Sequence, residues 1–127
     1  MTLGDVIVRA FYKTGAYIAE LIERQEENGR ALVKIRAVVK HPTQGDLHNP
    51  KMTNVPLFHQ RKALAEFEKT WVPLSSLKGY EGDVPNYRES LIHALDEQMT
   101  KLEKEPSEWA QLSLKKLQEC KKEYGIS

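Results

Sequence analysis

Three histidines and one aspartate lie within a single stretch near the middle of this chain, at His41, Asp46, His48 and His59. Imidazole and carboxylate groups are ligand types for zinc and other transition metals. Their spacing matches no familiar signature, and a catalytic metal would need three of them to converge on one point. One hypothesis is therefore a metal-binding protein or metal-dependent enzyme centred on this His-rich loop. The alternative is that these side chains hydrogen-bond to the loop's own backbone.

General acid–base chemistry is a second interpretation of the same residues. An imidazole of His41 or His48, oriented by Asp46, could exchange protons near neutral pH. No obvious nucleophile accompanies it, because the serines at 75–76 belong to a separate turn. Cys120 lies on a helical stripe, where a buried and inert thiol is commoner than a reactive one. We therefore predict no catalytic residue, no cofactor, no bound metal and no enzymatic activity.

A surface that binds another protein is the interpretation we favour. The loop His41–Lys62 ends in Phe58, His59 and Arg61, and aromatic rings and guanidinium groups are typical anchors at interfaces. The predicted partner-binding residues are His41, Gln44, Asp46, His48, Phe58, His59 and Arg61. For Trp71 we predict a place in the hydrophobic core instead.

Strand patterns surround this loop. The strand candidates are residues 6–12, 16–24 and 31–40, followed by two short ones within 63–72. Asn28-Gly29 favours a type I′ hairpin turn, which needs positive φ at both central residues. Residues 73–77 are typical of a short helical turn. Five or so short, sequential strands predict a small antiparallel barrel, which also removes open sheet edges.

The last third of the chain changes to a helical period. Asp83 precedes Pro85 at a predicted helix start, and Gly125 is a predicted C-terminal cap. The first apolar stripe is Tyr87, Leu91, Leu95, Met99 and Leu102. The second is Trp109, Leu112, the aliphatic stem of Lys116, Leu117, Cys120 and Tyr124. Two amphipathic helices must bury these stripes against each other and against the barrel, or against a partner.

Composition limits the classes of partner. The 127 residues are 29% charged and 40% hydrophobic, with 19 Lys and Arg against 18 Asp and Glu. This balance disfavours nucleic acid, for which Lys34, Arg36 and Lys40 would be the candidate contacts. One cysteine excludes an intrachain disulfide and indicates a reducing compartment. The first residues lack the basic and apolar regions of a signal peptide, so we expect a cytoplasmic protein.

The chain resembles the kinase-associated protein B family of spore-forming bacilli over nearly its whole length. The segments that carry the resemblance are Gly4-Asp5, Phe11-Tyr-Lys-Thr-Gly15, Val33-Lys34, Ala37-Val38, His41-Pro-x-Gln-Gly-Asp-Leu-His48, Pro50-Lys51, Val55-Pro-x-Phe-His-x-Arg-Lys-Ala-Leu-Ala65, Pro85-x-Tyr-x-Glu-Ser-Leu91 and Ala94-Leu-Asp-Glu97. The loop string is long and unusual in composition, which makes chance similarity an inadequate explanation.

The resemblance implies a mainly β plus α fold: an SH3-like antiparallel barrel over residues 1–81, with a long loop at 41–62, and a C-terminal helical hairpin over 82–127 that packs on the barrel. It also implies a non-enzymatic accessory protein that promotes activation or expression of a membrane sensor histidine kinase for sporulation. The family's residues have no assigned roles that could be carried over. A second copy of the chain is another candidate partner.

One departure concerns the membrane. The family is sometimes labelled a lipoprotein, but this chain has no lipobox, and Cys120 lies near the opposite end. We therefore expect no lipid anchor and no direct membrane insertion. Recruitment to the membrane would come through the partner kinase.

Overall fold

The computed structural model describes residues 6–45 and 60–126. Its first part is a five-stranded antiparallel sheet with the strand order β4-β3-β2-β1-β5. The strands are β1 (Ile7–Tyr12), β2 (Gly15–Gln25), β3 (Arg30–Lys40), β4 (Lys69–Pro73) and β5 (Leu77–Gly79). The two helices that follow are α1 (Tyr87–Glu103) and α2 (Glu108–Glu123).

The connection between the two edge strands explains why this sheet curls. Only the 3-10 turn Leu74–Ser76 separates β4 from β5, although these strands lie at opposite edges. From Pro73 to Leu77 the chain spans at most about 14 Å. The edges of a flat five-stranded sheet would be about 19 Å apart. The sheet must therefore bend towards closure, which confirms the prediction of a small barrel-like domain followed by a helical hairpin.

The core follows the alternation seen in the sequence. In β3, Ala31, Val33 and Ile35 are buried, whereas Lys34 and Arg36 alternate with them and stay partly exposed. The sheet core contains Val8, Ala10, Tyr17, Ala19, Leu21, Ala31, Val33, Ile35, Val38 and Val72, with Leu91 and Ala94 of α1. A second cluster joins the helices through Leu95, Leu102, Trp109, Ala110 and Leu117. Helix α1 therefore packs on the sheet with one side and on α2 with the other.

Hydrogen bonds define both ends of the helical hairpin. Asn86 caps α1 and Ser107 caps α2, and each side chain accepts a backbone N–H at 3.1 Å. The prediction that Asp83 caps α1 is wrong, since the N-cap is Asn86, three residues further along the chain. The predicted cap at Gly125 is confirmed by its φ of +74° and by its N–H bond to the carbonyl of Lys122.

Two turn and strand predictions are also wrong. Among residues 26–29 only Gly29 has positive φ, +63°, so the turn is not type I′. The β2–β3 loop has four residues, and its reverse turn is closed by N–H groups of Asn28 and Gly29. Within residues 63–72 only one strand forms, β4, and the fifth strand is β5. Residues 60–65 are held instead by side chains from elsewhere.

Trp71 is not a core residue. It is half-buried on β4, whereas its neighbour Val72 points into the core. The guanidinium of Arg30 lies 4.0 Å from the centre of the indole ring, a cation–π geometry. Trp71 therefore covers the outer side of the sheet. No helix in the described ranges is long and apolar enough to cross a membrane.

Candidate functional site

Residues 60–64 form a segment without regular secondary structure, the strap, which pairs with none of the described strands. Backbone amides and carbonyls without partners are costly when shielded from water, so something else must satisfy them. The strap obtains its hydrogen bonds from side chains of β2, of the segment after β3, of α1 and of the end of α2. It therefore ties the sheet to both helices.

The amide of Gln44 takes the place of a neighbouring strand. Its Oε1 accepts the backbone N–H of Arg61 at 2.8 Å, and its Nε2 donates to the carbonyl of Arg61 at 2.9 Å. The same Nε2 also donates to the carbonyl of Pro42 at 3.0 Å. Gln44 is only 3% exposed. It is thus a buried polar residue that fixes the position of Arg61.

Three tyrosine hydroxyls hold Ala63 and Leu64, the last two residues of the strap. The N–H of Leu64 donates to Tyr17 at 3.1 Å, and Tyr87 donates to the carbonyl of Leu64 at 2.6 Å. The N–H of Ala63 donates to the hydroxyl of Tyr124 at 2.8 Å. Burial raises the pKa of all three phenols, that of Tyr87 to about 12. They remain protonated at neutral pH and can act as donors and acceptors together.

His41 completes this network from below the strap. Its Nδ1 lies 3.1 Å from the carbonyl of Pro42, which can only accept, so Nδ1 carries the proton. Its Nε2, 2.9 Å from the Tyr124 hydroxyl, then accepts a hydrogen bond from it. The ring is fully buried, and this burial lowers the pKa of His41, although bonds to Pro42 and Gln98 oppose the shift. His41 is therefore a neutral structural imidazole.

Helix α2 secures the first residues of the strap. Gln60 Nε2 donates to Cys120 Sγ at 3.4 Å and to the carboxylate of Glu123. Lys62 pairs with Glu123 at 2.9 Å, and this bond lowers the pKa of the Glu123 carboxyl. Burial raises the pKa of the Cys120 thiol, so the inert form predicted for it is favoured.

Three of the predicted partner-binding residues meet at the strap. His41 and Gln44 are buried beneath it, and Arg61 is partly exposed, with its Nε donating to the carbonyl of Gly45 at 3.0 Å. The other four, Asp46, His48, Phe58 and His59, lie outside the described residues. Both nitrogens of His41 are engaged, and the described residues contain no cluster of three metal-ligating side chains.

The sequence interpretation missed the role of the tyrosines. Tyr87 and Tyr124 were recognised only as members of apolar stripes. A buried phenol normally finds a hydrogen-bond partner, so a tyrosine on such a stripe is itself a signal for a polar contact. The sequence could not indicate that all three tyrosines share the strap as their partner.

A cleft lies between the strap and the β1–β2 turn. Its volume is about 250 Å³, and it is lined by Tyr12, Lys13, Thr14, Tyr17, Pro42, Gln60, Arg61, Lys62 and Leu64. A larger cavity of about 510 Å³ lies away from the strap, between α1, the end of β3 and Trp109. Only the smaller cleft contains a residue that the sequence predicted for partner binding, Arg61.

Known proteins are similar to this chain over almost its full length. The family model described as "Kinase associated protein B" matches residues 12–125. "Kinase-associated lipoprotein B" of Bacillus subtilis (strain 168) is 49% identical over 118 residues, which cover 93% of this chain and 91% of that protein. The crystal structure of kinase-associated protein B from Bacillus cereus superimposes with a TM-score of 0.81 at 37% identity, and the match covers 99% of each chain. The resemblance seen in the sequence is confirmed, and the chain belongs to the kinase-associated protein B family.

Proposed function

We propose that this protein is a non-enzymatic accessory protein that binds a sporulation sensor histidine kinase and promotes its activation or expression. Family membership supports the association with a kinase, since the relatives are named for it. The sporulation role and the class of kinase come from the family resemblance. The barrel over residues 1–81 and the helices over 82–127 would act as one support for the binding surface.

The observation that carries this proposal is the strap. The groups best suited to catalysis, the imidazole of His41 and the thiol of Cys120, are buried and hydrogen-bonded to structural partners. Their arrangement fixes the strap and leaves Arg61 and Lys62 at the surface. A rigid backbone that presents cationic side chains is a feature of a preorganised binding surface. A metal-dependent enzyme receives no comparable support from the described residues.

In this proposal the seven predicted residues have two kinds of role. Arg61 contacts the kinase, whereas His41 and Gln44 act by holding the strap beneath it. Contacts through Asp46, His48, Phe58 and His59 remain predictions. The protein would act in the cytoplasm and reach the membrane through the kinase.

The direct test combines the full chain with the purified cytoplasmic part of the matching sensor kinase. Binding is measured by calorimetry, and the autophosphorylation rate is measured with and without the protein. We expect saturable binding and a changed autophosphorylation rate. Arg61→Ala should lower the affinity and reduce the effect on the rate. Lys69→Ala, which removes an exposed cation on β4, should change neither. Absence of binding and of any rate change, with both proteins folded, would overturn direct regulation. Kinase abundance in cells lacking the protein would then test control of expression.

A further inference from the structure

The cleft beside the strap has an unbalanced charge. Lys13, Arg61 and Lys62 line it, and no acidic residue is among its described lining residues. Glu123 pairs with Lys62 from the α2 side and offsets one of these three charges, which leaves two cations among the lining residues without such an ion pair in the described part of the chain. Like charges around a concave surface raise the local potential and favour a bound anion.

Lys13 occupies a position that would suit glycine. It is the first residue of the two-residue connection between β1 and β2, and its φ is +53°. A two-residue hairpin with positive φ at its first position normally carries Gly there, because a side chain makes this conformation unfavourable. Unfavourable backbone conformations of this kind cluster at functional sites. The ammonium group of Lys13 is the part of the residue that glycine could not supply to the cleft.

The walls add neutral hydrogen-bond donors. Thr14 Oγ1 accepts the backbone N–H of Thr43 at 2.9 Å, so its own hydroxyl hydrogen can be donated to another acceptor. Tyr12 also lines the cleft, and its hydroxyl group can donate. A volume of about 250 Å³ accommodates a small anionic group with some water, since a water molecule in the liquid occupies roughly 30 Å³.

We propose that this cleft binds an anionic group on the surface of the kinase partner, either a phosphoryl group or a carboxylate. Both groups present several oxygen atoms to cations and hydroxyl donors, which is the chemistry that the cleft offers. The identity of the partner rests on the proposed function, whereas anion binding rests on the cleft alone.

The test is an NMR titration of the full chain with inorganic phosphate, with sodium acetate and sodium chloride at matched ionic strength. We expect saturable shifts of the amides of Thr14, Arg61 and Lys62. Affinity should fall roughly tenfold, which corresponds to about 1.4 kcal/mol, in Lys13→Asn and in Lys62→Gln. Asn suits the first variant because it tolerates positive φ. Lys69→Gln is the matched control and should bind as tightly as the unaltered chain.

Comparing phosphate with acetate distinguishes a phosphoryl group from a carboxylate as the bound anion. Saturation by phosphate alone supports a phosphoryl group, and saturation by acetate as well supports a carboxylate. The same response to chloride, or unchanged affinity in both cleft variants, would overturn the proposal. If the unaltered chain binds the kinase and both variants bind it equally well, the cleft proposal fails and the proposed function stands. If the unaltered chain binds no kinase, the proposed function fails, and the phosphate titration still decides whether the cleft binds anions.

Discussion

The hydroxyl of Tyr124 lies 2.9 Å from Nε2 of His41, so the end of α2 is bonded to the end of β3, 83 residues earlier in the chain. The same hydroxyl accepts the N–H of Ala63. One phenol oxygen therefore joins the sheet, the strap and the helical hairpin.

Replacing Tyr124 by Phe should destabilise the protein by about 1–2 kcal/mol, because two polar groups, at Ala63 and His41, lose their shared partner inside the protein. Urea denaturation followed by circular dichroism measures the change. Tyr80→Phe is the matched control, since Tyr80 donates only one exposed bond, to the carbonyl of Asp83. Equal losses in the two variants would contradict the central role of the Tyr124 hydroxyl.

Stability should decrease as the pH falls below about 6.5, the ordinary pKa of histidine. Burial lowers the pKa of His41 in the folded protein, so the unfolded chain binds a proton that the folded chain resists. Proton uptake at acidic pH therefore favours the unfolded state. The contribution of buried, neutral His41 to the free energy of unfolding is fully present above pH 6.5. His41→Asn should flatten the dependence between pH 7 and about pH 5, as measured by urea unfolding. An undiminished pH dependence in this variant would contradict the assignment to His41.

Gln44→Glu keeps the shape of the side chain but removes the donor to Arg61 and introduces a charge at a buried site. We expect a loss of roughly 2–3 kcal/mol and faster hydrogen exchange at the Arg61 amide. Differential scanning calorimetry and exchange monitored by NMR measure the two effects. Gln111→Glu, on an exposed position of α2, should change neither. Unaltered exchange at Arg61 in the Gln44 variant would show that this amide does not hold the strap.

Gly125→Ala should cost about 1 kcal/mol, because Gly125 has a φ of +74° and a Cβ there would meet no other atom. The effect would thus come from the backbone alone. Gly79→Ala offers a matched control: it also has open space, but its φ is not in the positive range. Thermal unfolding of both variants measures the difference. A loss at position 79 as large as that at 125 would contradict this explanation.

Lys13→Gly should leave the stability unchanged or raise it by up to about 1 kcal/mol, since glycine adopts positive φ freely. The same variant should bind inorganic phosphate more weakly. A gain in stability accompanied by a loss of binding would indicate that the lysine is kept for its charge. Lys78→Gly, within β5, should instead be destabilising, because glycine weakens a strand. Chemical denaturation measures the stability of both variants, and titration with inorganic phosphate measures the binding of the Lys13 variant.

Local patterns predicted much of this fold. The alternation of Val33, Ile35 and their neighbours predicted β3, and glycine at position 125 predicted the cap of α2. These features depend on residues close in sequence. The strap depends instead on residues that are distant in sequence. The N–H of Leu64 donates to Tyr17, which lies 47 residues earlier, and no sequence periodicity indicates such a contact. The type I′ turn failed because the β2–β3 loop is four residues long, a length that strand register determines.

The sequence predicted only part of the candidate site. The unusual composition of the loop drew attention to His41, Gln44 and Arg61, and the structure brings all three together. Composition did not distinguish a residue that supports the backbone from one that reaches the surface. That distinction depends on burial, which here follows from how α1 and α2 dock on the sheet.

The order in which the chain is synthesised has a consequence for the strap. Domains form as the N-terminal part of a chain leaves the ribosome first. The strap therefore emerges 61 residues before Tyr124, which holds the N–H of Ala63. Until α2 has emerged and docked, the sheet can assemble while the strap is tied only by residues such as Gln44 and Tyr17. The proposed binding surface would thus mature only after translation of the second helix, so we expect a nascent chain not to bind the proposed kinase partner through the strap.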